Sequence, residues 1–142
     1  MTRLRSSVDR RVLFEATILL PLVSIALRTV GLARLQRFLE RKPSLSVRRS
    51  ADEARHLTAL VDVVARRSPI QYNCLLRSVV LLRVLRRRDL EAELRFGMRK
   101  AGPGDIQFHA WVEHEGEVMN DDQHVRVNFI PFGADRKAKW SS

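Results

Sequence analysis

The sequence predicts an α+β protein, with its helices first and a small antiparallel sheet after them. Three observations carry this. Apolar residues recur at helical spacing as far as Arg88 and alternate with polar ones after Asp89, and two glycine turns, Gly102-Pro103-Gly104 and Glu115-Gly116, punctuate the alternating part. Helices grouped ahead of the strands pack on one face of the sheet. The 142 residues, 45% of them hydrophobic, suit a single domain with a real core. Only 6% are aromatic, so that core is expected to be mostly Leu, Val and Ala.

The N-terminal helical region covers residues 1–43. Ser7 to about Glu40 reads as helix, with Asp9 as a candidate N-cap, Pro21 expected to kink or divide it, and Gly31 expected to end or bend it. Beyond Gly31, Leu32, Leu35 and Leu39 share one face, with Arg34, Arg37 and Arg41 towards solvent. Arg3, Arg5, Arg10 and Arg11 precede an apolar run from Ala16 to Leu27, which imitates a signal peptide. Glu15 stands at the run's edge, no small-x-small cleavage site follows, and Arg28 ends the run short of the ~20 residues a span needs. A helix buried in the domain or lying at an interface is expected, not a transmembrane span.

Lys42-Pro43-Ser44 and the Ser and Arg residues after it read as a linker to a core over residues 50–134. Ser50 and Glu53 form a capping box, and Ala54, Leu57, Val61, Val64 and Ala65 follow at helical spacing. Arg66 and Arg67 complement the dipole of the last turn, and Ser68-Pro69 ends the helix. The next helix runs from about Cys74 to Arg88. Two apolar rows, one through Leu75, Val79, Leu82 and Leu85 and one through Leu76, Val80 and Val84, predict a central helix with neighbours on several sides.

In the first strand Ala92, Leu94, Phe96 and Met98 point one way, and Glu91, Glu93, Arg95 and Arg99 the other. In the second, Phe108, Ala110 and Val112 alternate with His109, Trp111 and Glu113. A short third strand covers Glu117 to Met119. The stretch through Val125, Val127, Phe129 and Ile130 to Gly133 reads as a short strand or a loop, and the chain from Asp135 as a basic tail.

The single cysteine cannot form an internal disulfide, and no Cys/His spacing suits zinc, so no metal and no cofactor is expected. The net charge of +10 favours acidic partners. A nucleic-acid-binding role, suggested by Arg86-Arg87-Arg88, lacks interleaved aromatics and a recognition motif.

Cys74 opens its helix. Free backbone N–H groups at a helix N-terminus stabilise a thiolate and can donate to an oxyanion. His109, on a neighbouring strand, is a candidate base, and Asp121, beyond the next turn, a candidate orienting carboxylate. The same residue types also suit a cysteine packed as a small hydrophobe, an ordinary strand histidine and a polar turn at Asn120-Asp121-Asp122.

Cys74-Leu75-Leu76-Arg77-Ser78, the leucine-rich helix with its arginine run, Ala92-Glu93-Leu94-Arg95-Phe96-Gly97, Phe108-His109-Ala110-Trp111-Val112-Glu113, Gly116 and Asn120-Asp121 together resemble the transglutaminase-like cysteine proteases of lasso-peptide biosynthesis. The resemblance implies a papain/transglutaminase-like core, with the cysteine helix packed on the sheet. It also implies removal of a leader from a ribosomally made precursor peptide. The nucleophile falls on Cys74, the histidine on His109 and the aspartate on Asp121, with Asp122 and then Asn120 as alternatives. Gln71 and Trp111 are candidate partners of the Cys74 N–H in the oxyanion hole, and Trp111 is alternatively a shield for the ion pair. Arg77 and Ser78 recur in the motif as supports, and Glu113 is a candidate acceptor or ion-pair partner. The chain looks like the split form, without a leader-recognition domain. Its expected partners are therefore a small leader-recognition protein and an ATP-dependent lasso cyclase acting next, in the cytoplasm. A transglutaminase-like acyl transferase would use the same three residues.

Overall fold

The computed structural model describes residues 7–31, 34, 51–68 and 72–132. Helix α1 spans Ser7–Thr29, α2 Ala51–Arg67 and α3 Cys74–Arg86. Strand β1 spans Glu93–Gly102, β2 Asp105–His114 and β3 Glu117–Val118, and the one-turn helix α4 (Val125–Asn128) leads into β4 (Ile130–Phe132). The expected second helical piece beyond Gly31, the linker at Lys42-Pro43-Ser44, the Ser50 cap and Pro69 lie outside the described residues, apart from Arg34.

Helices α1, α2 and α3 pack pairwise, and α3 also lies on β1 and β2. Its sequence explains this central place. Val79, Val80, Val84 and Leu85 are fully buried, and Leu76, Leu81 and Leu82 nearly so. Burying each such side chain is worth about 1.5–3 kcal/mol. Helix α1 adds Val12, Ala16, Leu20 and Val23 from one face, and α2 adds Ala54, Leu57, Leu60 and Val61.

Two expectations for α1 change. Asp9 lies inside the helix and is buried, with its Oδ1 2.9 Å from His56 Nε2 on α2. Its carboxylate joins two helices, from a position within α1 and not at the residue before it. Pro21 does not divide the helix, which runs unbroken to Thr29. A proline removes one N–H from the ladder, and the packing of Leu20 and Val23 on either side of it holds the element together. By length and composition alone α1 also passes for a membrane-crossing helix, as the core helix of a soluble protein or a signal sequence does, with a mean hydropathy of 1.7 over an 18-residue window. Gly31, with φ at +82°, follows the end of α1 as expected.

The sheet is antiparallel throughout, in the order β3-β2-β1-β4. Phe96 pairs with Ala110 and Gly97 with His109. Val112 joins the helical core, whereas Trp111 packs with Val118, Val125 and Phe129 on the opposite face. Three successive residues, Ala110, Trp111 and Val112, are therefore buried. A sheet wetted on one face would bury every second one. The segment read as a strand or a loop after Met119 is one helical turn followed by a strand, and it covers this second face.

The arginine run is engaged within the fold. Arg86 donates to the Ala92 carbonyl, and Arg87 and Arg88 pair with Glu15 of α1 at 3.1 and 2.9 Å. Arg55 on α2 grips both oxygens of Glu117 on β3, at 2.9 and 2.7 Å.

Candidate active site

Cys74 is the first residue of α3 and is half-buried. Asn73 caps the helix, its Oδ1 accepting the Leu76 N–H at 2.9 Å. The first N–H groups of a helix have no intrahelical acceptor. The cap takes that of Leu76 and leaves those of Cys74 and Leu75 outside the helix's own bonding. A cavity of about 350 Å³ opens between α1 and α2, with Leu13, Leu20, Val64 and Tyr72 in its wall. Tyr72 lies two residues before Cys74.

One turn after Cys74, Ser78 is completely buried, and its Oγ donates to the Ala110 carbonyl at 3.0 Å. Asn120 Nδ2 donates to the same Oγ at 2.8 Å, while Asn120 Oδ1 accepts the Val112 N–H at 2.8 Å. Helix α3, the part of β2 beyond its short pairing with β3 and the loop after β3 thus meet through one chain of hydrogen bonds. It ends beside His109.

His109 Nε2 is hydrogen-bonded to Asp121 Oδ2. The imidazole stacks on Phe129, with centroids 4.9 Å apart, and at 6.2 Å on Trp111. Arg99 lies over the Phe129 ring, 4.8 Å from its centroid. Asp122 turns away and accepts from the backbone N–H of His124 at 2.8 Å, which with the His124 ring holds its carboxyl below the usual range. The carboxylate against His109 is therefore Asp121, not Asp122, and Asn120 belongs to the Ser78 bridge. With Nε2 engaged, Nδ1 is the ring nitrogen left for another group. Among the described residues no hydrogen bond joins Cys74 to His109. Such bonds are often long before substrate binds.

Trp111 is wholly buried, and its Nε1 donates to Glu113 Oε1 at 2.9 Å. Its one side-chain donor is committed there, so an oxyanion role for the indole has no free N–H to rest on, and what Trp111 offers His109 is its ring. Glu113 also pairs with Arg126 of α4 at 2.8 Å and Arg95 of β1 at 3.4 Å. Burial opposes its ionisation, but the indole N–H and the two guanidiniums outweigh that and hold it below the ordinary carboxylate value. Arg77 pairs with Asp62 of α2 at 2.6 Å. Gln71 lies outside the described residues. Among the described residues no group of three or more His, Cys, Asp or Glu side chains could hold a metal ion.

The profile of the transglutaminase-like superfamily matches residues 16–132, which takes in α1 from Ala16 onwards, α2, α3 and the whole sheet. The chain belongs to the transglutaminase-like superfamily. No curated protein and no solved structure matches it significantly. The superfamily includes cysteine peptidases and acyl transferases, and its members are typically cysteine-dependent enzymes. Its core of helices on a small antiparallel sheet is the fold described above.

Phe129 carries no sequence signal as a ring partner of His109, because the segment around it reads equally as a short strand or a loop. The signal for Asn120 was its place next to Asp121. That place marks it only as a substitute for the aspartate.

Proposed function

We propose that this superfamily member is a cysteine peptidase that removes the leader from a lasso-peptide precursor, with Cys74, His109 and Asp121 as its catalytic residues. One observation carries the chemistry. The turn that begins with Cys74 is bonded, through Ser78, to the residue after His109, and His109 is itself held by Asp121. The leader and precursor rest on the sequence resemblance.

Cys74 Sγ, its proton taken by His109 Nδ1, attacks the carbonyl at the junction of leader and core. The N–H groups at the tip of α3 receive the oxyanion. His109 returns the proton to the departing amine, which becomes the new N-terminus of the core. Water then attacks the thioester, His109 takes its proton, and the leader leaves as a carboxylic acid while the thiol is regenerated. Asp121 fixes the tautomer and orientation of the ring. A small leader-recognition protein presents the precursor, and an ATP-dependent cyclase uses the freed amine, all in the cytoplasm. Nucleic acid is a poor alternative partner, since Arg86, Arg87 and Arg88 are engaged inside the fold.

The test incubates the purified protein with the precursor peptide and its leader-binding protein and weighs the products. Peptide hydrolysis gives two fragments whose summed mass exceeds the precursor by one water. Acyl transfer to an amine gives a product without that gain, and would move the function to the transferase branch of the superfamily. Cys74→Ala and His109→Ala should each abolish cleavage in folded protein. Full cleavage by Cys74→Ala rejects the mechanism.

A further inference from the structure

Helix α1 has two apolar faces. One, through Val12, Ala16, Leu20 and Val23, is buried in the core. The other, through Phe14, Ile18, Leu22 and Ile25, also repeats at helical spacing, and these residues are 69%, 42%, 55% and 60% exposed. Such a contiguous outward row marks an interaction surface.

The charges around this row identify its partner. Both acids of α1 are tied to other helices, Asp9 to His56 and Glu15 to Arg87 and Arg88. Arg10 and Arg11 at one end of the row and Arg28 at the other are exposed. Among the described residues none of the three has an ion-pair partner. The outward face therefore combines apolar side chains with unpaired cations at both ends. Its acids are neutralised from within.

We infer that α1 lies flat on an anionic lipid surface, its outer row sunk at the headgroup boundary and its arginines on lipid phosphates. The helix is long and apolar enough to cross a membrane. Crossing would strip its inner face from the core and break the Asp9 and Glu15 ion pairs, whereas lying on the surface preserves both. The inference is independent of the cysteine chemistry.

The test is co-sedimentation of the full chain with phosphatidylcholine vesicles, with and without phosphatidylglycerol. Binding is expected only to the anionic vesicles, and to weaken with salt. Replacing Arg10, Arg11 and Arg28 together by Gln should weaken it on the order of a hundredfold. Replacing Phe14, Ile18, Leu22 and Ile25 by Gln should abolish it, with circular dichroism reporting the fold. Should that variant unfold, a Phe14→Trp reporter decides. Quenching of its emission by brominated acyl chains supports the inference, and emission unchanged by vesicles overturns it. Equal binding to neutral vesicles, or anionic binding unaltered by the Gln variants, also overturns it. So does a wild-type dimer that the apolar variant converts to monomer without vesicle binding, since the row then serves a second copy.

Discussion

Ser78 Oγ donates to the carbonyl of Ala110 at 3.0 Å, and this bond ties the turn that holds Cys74 to the residue after His109. The proposed nucleophile and base sit on different elements, so their alignment depends on what joins those elements. Ser78 is fully buried, and Asn120 completes the link to Val112.

Ser78→Ala leaves the Asn120 amide and one carbonyl lone pair without their partner in the interior. Stability is expected to fall by about 1–3 kcal/mol, as read by urea denaturation. The rate at which iodoacetamide alkylates Cys74, the only thiol in the chain, should fall as well. Unchanged stability together with unchanged alkylation would show that the bridge does not align the site.

Asp121 and Asp122 offer an internal comparison. Asp121 is bonded to His109, and Asp122 to His124. Asp121→Asn keeps the shape but favours the wrong tautomer, and should slow precursor cleavage roughly 10²- to 10⁴-fold. Asp122→Asn should leave the rate within a factor of a few. Steady-state kcat/KM for both variants checks this, and the reverse ranking would reassign the carboxylate.

The elements were legible in the sequence wherever one periodicity dominated. The rows through Val79 and Val80 marked α3 as central, and the alternation from Ala92 marked β1. The segment after Met119 was not, because its residues answer to the Trp111 face and not to a repeat of their own. Val125 and Phe129 pack there four positions apart. Asp9 departs from its expected capping place for a similar reason. Local pattern favoured a cap, but a histidine 47 positions away supplied the partner. The candidate residues Cys74, His109 and Asp121 come from motifs, whereas the Ser78-Asn120 bridge and the Phe129 stack depend on contacts between elements that spacing does not encode.

Gly97 pairs with His109 across the sheet. A Cβ added there would lie 2.7 Å from Phe129 Cβ and 3.0 Å from the Trp111 ring. Both neighbours stack on the imidazole. Phe129 meets it with its Cβ, close to the backbone, and cannot swing clear as the tip of a long side chain would. Gly97→Ala should therefore cost about 1–3 kcal/mol of overpacking and push Phe129 off the His109 ring. Denaturation gives the first effect, and the chemical shifts of the His109 ring protons the second. A stable variant with unshifted ring protons would show that Phe129 has room to give.

Glu113 gathers Trp111, Arg95 and Arg126 around one carboxylate whose side chain is only 13% exposed. Its pKa in the fold lies below the usual 4.5, because the indole N–H and the two guanidiniums outweigh the burial that opposes ionisation. A carboxylate depressed in this way contributes stability that is fully present above its unfolded value. That contribution is lost as pH falls through its folded value. Glu113→Gln keeps an acceptor for the indole but removes the charge that holds the two arginines. The variant should melt about 2–8 °C below the wild type at neutral pH. The gap should close as pH falls through the folded value, where the wild-type carboxylate is itself protonated. Paired melting curves across that range measure the difference, in which the titration of the other carboxylates cancels. A gap that stayed constant with pH would mean that Glu113 acts through packing alone. The pairing of α4 to the sheet would then owe nothing to its charge.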